Sequence, residues 1–311
     1  GNPDMPTIRS NRAGEAWSAL SGLAADPKNP NVLYSVPDNA LPSAIYRIHT
    51  GGNGEAMLRI LAPVTKNGQQ TRYELEGIAV DTSIVSRGGF WLANEGNAEF
   101  ESGEYLPNML IQVDRQGKVL QEIILPAEVD SPLGGLIRSN GFEGVTVSQD
   151  GRYLVAVIQR EFADDASEVA YARVARYDLE SGSWEFFLYP LDPTDTEDDW
   201  IGLSGVETLA DGRYAIIERD KQIGGLAAIK KITVVSLDGA EPFDGLIEQE
   251  DELSGSVLEK TTLFDVLDVF APFEKVEGIA IDANGNVWAS LDNDGGELFT
   301  ILANLGPIQT Q

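Results

Sequence analysis

Glu277-Gly278-Ile279-Ala280-Ile281-Asp282, followed by Asn286-Val287-Trp288-Ala289-Ser290-Leu291-Asp292, decides the fold because this pair recurs along the whole chain. Glu76-Gly77-Ile78-Ala79-Val80-Asp81 leads into Phe90-Trp91-Leu92-Ala93-Asn94-Glu95. Glu143-Gly144-Val145-Thr146-Val147 leads into Tyr153–Gln159, and Ser21-Gly22-Leu23-Ala24-Ala25-Asp26 into Val32–Asp38. Ser204-Gly205-Val206-Glu207-Thr208 leads into Tyr214–Glu218. Each pair is a short apolar run, a turn rich in Gly, Asp and Asn, and a second apolar run, which is the pattern of a β-hairpin.

Further strands complete each unit. The first is expected to hold Gly22–Ala25, Val32–Val36, Ile45–Ile48 and Ala56–Leu61; the second Gly77–Val80, Gly89–Ala93, Met109–Val113 and Val119–Leu125. The third holds Gly144–Val147, Tyr153–Ile158, Val174–Leu179 and Trp184–Tyr189. The fourth shows Val206–Leu209, Tyr214–Glu218 and Lys230–Ser236, and the fifth Gly278–Ile281, Val287–Leu291 and Leu298–Leu302. Units that begin near 22, 77, 144, 205 and 278 mean an all-β, single-domain propeller spanning 1–311. One four-stranded sheet cannot cover both of its own faces, so each blade needs neighbours and the ring needs closure. Five blades are favoured, with six if the irregular insertion 240–276 hides another. Thr7-Ile8-Arg9 is expected to supply the outer strand of the fifth unit, pairing the N- and C-terminal segments and removing a free edge.

The bulk numbers bound the chemistry. Lys and Arg number 22 against 50 Asp and Glu, a net charge of −28, and the acidity is spread along the chain. That surface disfavours nucleic acid and anionic lipid. The hydrophobic share of 42% is that of a globular chain. There is no cysteine, which excludes disulfides, thiolate catalysis and Cys-ligated zinc, and one histidine, His49, which excludes a multi-histidine zinc site. No stretch is apolar enough to span a membrane. Gly1-Asn2-Pro3-Asp4 reads as a trimmed start, so a secreted or periplasmic protein is expected.

In a propeller the first strand of each blade lines the central channel, so equivalent positions form rings. Ser21, Glu76, Glu143, Ser204 and Glu277 make one ring; Asp38, Glu95, Gln159, Glu218 and Asp292, at the ends of the second strands, make another at the same mouth. Crowded carboxylates cannot all ionise without a compensating charge. Bound Ca²⁺ supplies it, with Asp38, Glu76, Glu95, Glu143, Glu218, Glu277 and Asp292 as ligands and Asn39, Asn94 and Asn293 as neutral oxygen donors. The competing reading makes these glutamates structural, paired with Arg or Lys. Arg72, Arg138 and Lys275 precede three of them, and Arg160, Arg219 and Lys221 follow second-strand ends; all are expected either to contact an anionic substrate or to neutralise the ring. Asp292–Glu297 reads as part of a Ca²⁺ loop or as a hairpin turn, and Asp192–Asp199 as a solvated acidic loop. His49 reads as a surface residue, and Trp91, Trp288, Tyr34 and Phe142 as packing between blades.

The Glu-Gly-Ile-Ala step, Gly88–Glu95 and Asn140-Gly141-Phe142-Glu143-Gly144 together resemble the phytase-like family described as having esterase-like activity. The likeness runs from about Gly22 to Leu302. It implies an exported β-propeller and a metal-assisted phosphoester or ester hydrolase, with Glu76, Glu143 and Glu277 as candidate catalytic residues acting on a small anionic or ester substrate. Two alternatives stand beside it: a lactonase-type Ca²⁺ propeller, suited by Asp38-Asn39 and Asp292-Asn293, and a non-catalytic binding or scaffold propeller.

Overall fold

The computed structural model describes residues 7–10, 20–39, 41–51, 55–96, 105–132, 134–137, 140–222, 224–253, 255–270, 275–292 and 301–308. Five sheets stand as blades around a central channel. Blade 1 contains β1 (Thr7–Ser10), β2 (Leu20–Ala25), β3 (Val32–Pro37), β4 (Ala44–His49) and β5 (Glu55–Pro63), and a small hairpin, β6 (Thr65–Lys66) and β7 (Gln69–Gln70), follows it. Blade 2 is β8 (Leu75–Val80), β9 (Phe90–Asn94), β10 (Met109–Val113) and β11 (Val119–Ile124). Blade 3 is β12 (Phe142–Val147), β13 (Tyr153–Ile158), β14 (Tyr171–Asp178) and β15 (Ser183–Pro190). Blade 4 is β16 (Ile201–Thr208), β17 (Tyr214–Asp220), β18 (Lys230–Val235) and β19 (Thr261–Asp265), and blade 5 is β20 (Lys275–Ile281), β21 (Asn286–Asp292) and β22 (Ile301–Pro307). No helix among the described residues is long and apolar enough to cross a membrane.

The five blades favoured by the repeats are present; the alternative sixth blade and the expected pairing of the termini are not. The stretch 240–276 is not a sixth blade: it carries β19, which pairs with β18 as the outer strand of blade 4, and one short helix, α1 (Leu267–Phe270). The rest of the insertion lays Phe243, Ile247, Leu253 and Val257 against Tyr171 and Leu188 of blade 3. The N-terminal strand β1 runs parallel to β5, with Thr7 opposite Glu55, so it widens blade 1 rather than supplying an outer strand to blade 5.

Closure comes from packing between blades. Strand side chains alternate between the two faces of a sheet, and each face meets a neighbouring blade. Leu23, Ile78, Val145, Val206 and Ile279 stand at equivalent positions, and each enters a different hydrophobic cluster. One of these clusters joins Ala280, Trp288 and Leu302 of blade 5 to Leu20, Leu23 and Leu33 of blade 1 and so completes the ring. Around the channel the innermost strands approach backbone to backbone at the repeated glycine. A Cβ on Gly22 would lie 2.8 Å from Gly77 Cα, and one on Gly77 would lie 2.7 Å from Gly144 Cα. Gly144 approaches Gly205 within 3.1 Å in the same sense, and Gly278 meets Leu23 at 2.7 Å. The glycine of the repeat is therefore a packing requirement of the collar.

The repeated Asp has its own reason. Asp81 Oδ1 accepts the indole N–H of Trp91 at 2.9 Å, and Asp282 Oδ2 accepts that of Trp288 at 2.9 Å. Asp26 Oδ2 accepts the Tyr34 hydroxyl at 2.8 Å. In Asp26 and Asp282 the other oxygen caps the following turn, as when Asp282 Oδ1 accepts the N–H groups of Asn284 and Asn286. Each Asp thus ties the inner strand's exit to the aromatic ring that fills the interface. Asp81 also accepts Ser83 and Gln112. Asp81→Ala strands several buried donors and is expected to cost about 3 kcal/mol, read as a lower urea midpoint at unchanged m-value.

Candidate functional site

All five innermost strands carry a β-bulge at one repeat position. The register slips between Leu20 and Gly22, Leu75 and Gly77, Phe142 and Gly144, Leu203 and Gly205, and Val276 and Gly278. The residues skipped are Ser21, Glu76, Glu143, Ser204 and Glu277. A regular strand sends side chains to its faces; a bulge re-aims one of them. At Glu76, Glu143 and Glu277 it turns the side chain toward the channel, whereas Ser204 Oγ donates to Val276 O. Three members of the first ring expected from the repeats are therefore brought together by copies of one backbone irregularity.

Carboxylate oxygens of Glu76, Glu143 and Glu277 all lie within 4.8 Å of one another. They line a throat of about 10 Å³ with Gly22, Gly77, Gly144, Gly205 and Gly278, room for one water or one bare cation. Glu143 and Glu277 are buried and Glu76 is half-buried. Burial first, then repulsion from Glu277, Glu95 and Glu74, holds the Glu76 carboxyl well above the usual range. Burial and then Glu76 and Glu95 do the same to Glu143. Glu95 is pushed up to about 7 by burial, against the opposing pull of its hydrogen bond with Glu143, the Lys275 ammonium and the Gly141 N–H. A carboxyl–carboxyl hydrogen bond needs a shared proton. Glu143 Oε2 and Ser21 Oγ are buried without a hydrogen-bond partner. Unmet oxygen lone pairs converging on a space of that size fit a hard cation.

One expected member of the second ring, Glu218, does not reach the mouth. Pairing aligns Leu75 with Asn94 and Leu203 with Glu218, so the counterpart of Glu95 in blade 4 is Arg219. Arg219 is buried at the mouth, with Nη2 3.4 Å from Glu277 Oε1 and its Nε unpartnered. Glu218 faces the other way, into the contact with blade 3. It accepts the Tyr189 hydroxyl at 2.6 Å, the Asp192 N–H at 2.7 Å and Lys260 Nζ at 2.7 Å. The contact of Arg219 with Glu277 is the neutralising arrangement expected of a basic residue at a second-strand end.

The remaining candidates are dispersed. Asp38 lies just beyond β3; burial and then the Asp38 charge raise the Glu74 carboxyl, whose Oε1 also accepts Asn39 Nδ2 at 3.1 Å. Asn94 is structural: its Oδ1 accepts the Glu74 N–H and its Nδ2 donates to Pro107 O. Lys275 acts electrostatically on Glu74, Glu76 and Glu95. Arg72 is exposed. Arg138, Asn293 and 294–297 lie outside the described residues, as does the side chain of Asp292, whose backbone ends β21. His49 is exposed and accepts the Gly51 N–H at 3.3 Å. Sequence reading missed Asn108. Its Oδ1 accepts the N–H groups of Gly96 and Phe142, at 2.8 and 3.0 Å, beside Glu95 and Glu143, and its Nδ2 donates to Asp130 at 3.0 Å.

Residues 15–295 match the phytase-like family, described as esterase-like activity of phytase. The chain belongs to the phytase-like family. No functionally curated protein matches this phytase-like chain. Among solved structures it is similar to a gluconolactonase from Xanthomonas campestris, at 14% identity and a TM-score of 0.44 over 93% of this chain and 78% of that one. It is similar to a periplasmic gluconolactonase from Pseudomonas aeruginosa, at 12% identity and a TM-score of 0.40 over 94% and 87%. It is similar also to an α-L-arabinanase from Penicillium chrysogenum, at 12% identity and a TM-score of 0.47 over 98% of each chain.

Proposed function

We propose that this phytase-like propeller is a Ca²⁺-dependent hydrolase that cleaves a phosphoester or carboxylic ester at the carboxylate mouth. The observation that carries the reading is the convergence of Glu76, Glu143 and Glu277 within 4.8 Å on a throat of about 10 Å³. Ca²⁺ takes oxygen ligands at about 2.3–2.6 Å, so a single ion spans ligands up to roughly 5 Å apart; Mg²⁺, at about 2.0–2.1 Å, needs a tighter set. Glu76, Glu143 and Glu277 would hold the ion, with Ser21 Oγ within the same ring. When bound, the cation polarises the substrate oxygen and offsets charge developing on it. Glu95, at the mouth beside Glu143, is the residue placed to take a proton from water. Lys275 and Arg219 give an anionic substrate positive charge on a protein that is otherwise strongly acidic.

Metal analysis of protein purified without added metal, paired with melting with and without a Ca²⁺ chelator, tests the metal. One retained Ca²⁺ per chain and a melting point lowered by several degrees on chelation are expected. No metal, and no shift when Ca²⁺ is added, would remove the basis of the proposal. A panel of phosphoesters, carboxylic esters and lactones then tests turnover. The Arg219–Glu277 contact favours a second reading, a binding propeller whose mouth is partly closed by an ion pair. Ca²⁺ retention without turnover of any ester would select it.

A further inference from the structure

The channel has a second mouth, where the five innermost strands end. A cavity of about 360 Å³ opens there, lined on its apolar side by Val80, Val147, Leu209 and Ile281. Its floor carries one carboxylate, Glu207, and no Lys, Arg or His is among the described residues that line it. Glu207 Oε1 accepts the Thr208 N–H at 2.8 Å and the Thr146 hydroxyl at 3.2 Å, and the Ile281 backbone N–H also donates to this carboxylate. Three blades therefore hold it in place. Burial pushes its carboxyl up to about 7 in spite of these donors. Glu207 lies three residues past the ring position of its strand, roughly 10 Å along the channel from the first mouth, with the glycine collar between them.

The equivalent positions in three other blades are the small apolar Ala24, Ala79 and Ala280, of which Ala24 and Ala79 line the cavity. A glutamate in that layer is costly unless an opposite charge compensates it. The lining supplies hydrogen-bond donors to this carboxylate but no positive charge. The wall is mixed, with Val80, Val147, Leu209 and Ile281 beside the polar Thr82, Ser148 and Gln149, and the volume exceeds that of a bare ion.

We propose that this cavity binds a short primary alkylammonium, its ammonium group on the Glu207 carboxylate and its alkyl chain against Val80, Val147 and Ile281. A carboxylate has about four acceptor positions, so the donors already present leave room for an ammonium. The net charge of −28 draws a cation to this face as well. The site is independent of the carboxylate mouth and of any hydrolytic activity.

The test is calorimetric titration of the whole chain with n-butylammonium at about pH 8.5, where Glu207 is ionised, with n-butanol as the uncharged probe and amide NMR shifts of Thr208 and Ile281 as the locator. Saturable binding about tenfold tighter for the ammonium than for the alcohol is expected, with shifts at both amides. Glu207→Gln keeps an acceptor for Thr208 and Thr146 and is expected to weaken ammonium binding about tenfold while leaving the alcohol unchanged. Val80→Phe fills the cavity without touching the carboxylate and is expected to abolish both, which keeps the proposal falsifiable should the Glu207 variant fail to fold. No binding, equal binding of alcohol and ammonium, or ammonium binding that survives Val80→Phe would overturn it.

Discussion

Gly77→Ala is expected to destabilise the propeller by about 3 kcal/mol and to lower its melting point by roughly 5–10 °C. The added methyl would sit 2.7 Å from Gly144 Cα and 3.0 Å from Gly144 C. Both obstacles are backbone, so no side chain can swing aside. Relief requires blades 2 and 3 to part along the channel, and that separation opens the interface packed by Trp91, Phe142 and Val145. The ring transmits the strain, because Gly144 meets Gly205 and Gly22 meets Gly77 in the same way. The matched control is Gly225→Ala. Nothing lies within 4 Å of a Cβ there, and its backbone is outside the left-handed region. Its expected effect is within about 0.5 kcal/mol. The two substitutions are chemically identical, so unfolding curves that differ by less than 1 kcal/mol (about one residue's helix propensity) would mean that the collar is loose.

The collar explains why so much of this fold is readable in the chain. Glu-Gly-Ile-Ala-x-Asp compresses four structural demands into six residues: a bulged residue aimed at the channel, a glycine where backbones touch, an apolar residue for each of two interfaces, and an Asp that binds the aromatic of the next strand. Each demand recurs in several blades, so the repeat survives in the sequence. What was not legible depends on contacts without a repeat. The strand β19 lies far along the chain from β18, across a long insertion, and nothing local to Thr261–Asp265 states its partner. The placement of β1 against β5 is likewise a choice between two open edges that the sequence leaves equal.

Site residues divide along the same line. Glu76, Glu143 and Glu277 were found because the bulge is part of the repeat. Glu95 lies one residue beyond β9, where the chain is released from the alternation of the sheet and can turn to the mouth. Glu218 lies inside β17, which extends to Asp220, so alternation commits its side chain to the blade 3 interface and to Tyr189 and Lys260. A carboxylate at a strand end and one just inside it look alike in sequence; pairing register separates them, and it brings Arg219 rather than Glu218 to the mouth. Glu207 escaped notice because its repeat position is otherwise occupied by Ala and Thr, so no pattern marked it as a member of a ring.

Glu143→Gln is expected to invert the relation between stability and function at the first mouth. Glu143 is buried, its carboxyl is held well above the ordinary 4.5 first by burial and then by Glu76 and Glu95, and its Oε2 has no partner. In cation-free protein the folded state holds protons that the unfolded chain has released, so stability is greatest below about 4.5 and falls as pH rises through the raised values of Glu76, Glu143 and Glu95, the last of them about 7. Replacing Glu143 by an isosteric amide removes one titrating group and relieves its neighbours. The variant should therefore melt higher than the parent in chelator at pH 8, with a flatter pH profile, and the two should converge near pH 4. Added Ca²⁺ should reverse the order, because the parent gains a full charged ligand set and the variant a depleted one. Hydrolysis, where a substrate is found, should fall at least about a hundredfold. The crossing of the two melting curves is the decisive observation. A mere scaffold of Arg–Glu pairs predicts that Glu143→Gln is equally placed with and without Ca²⁺, and a parent that stays less stable than the variant at saturating Ca²⁺ would show that the three carboxylates do not share a cation.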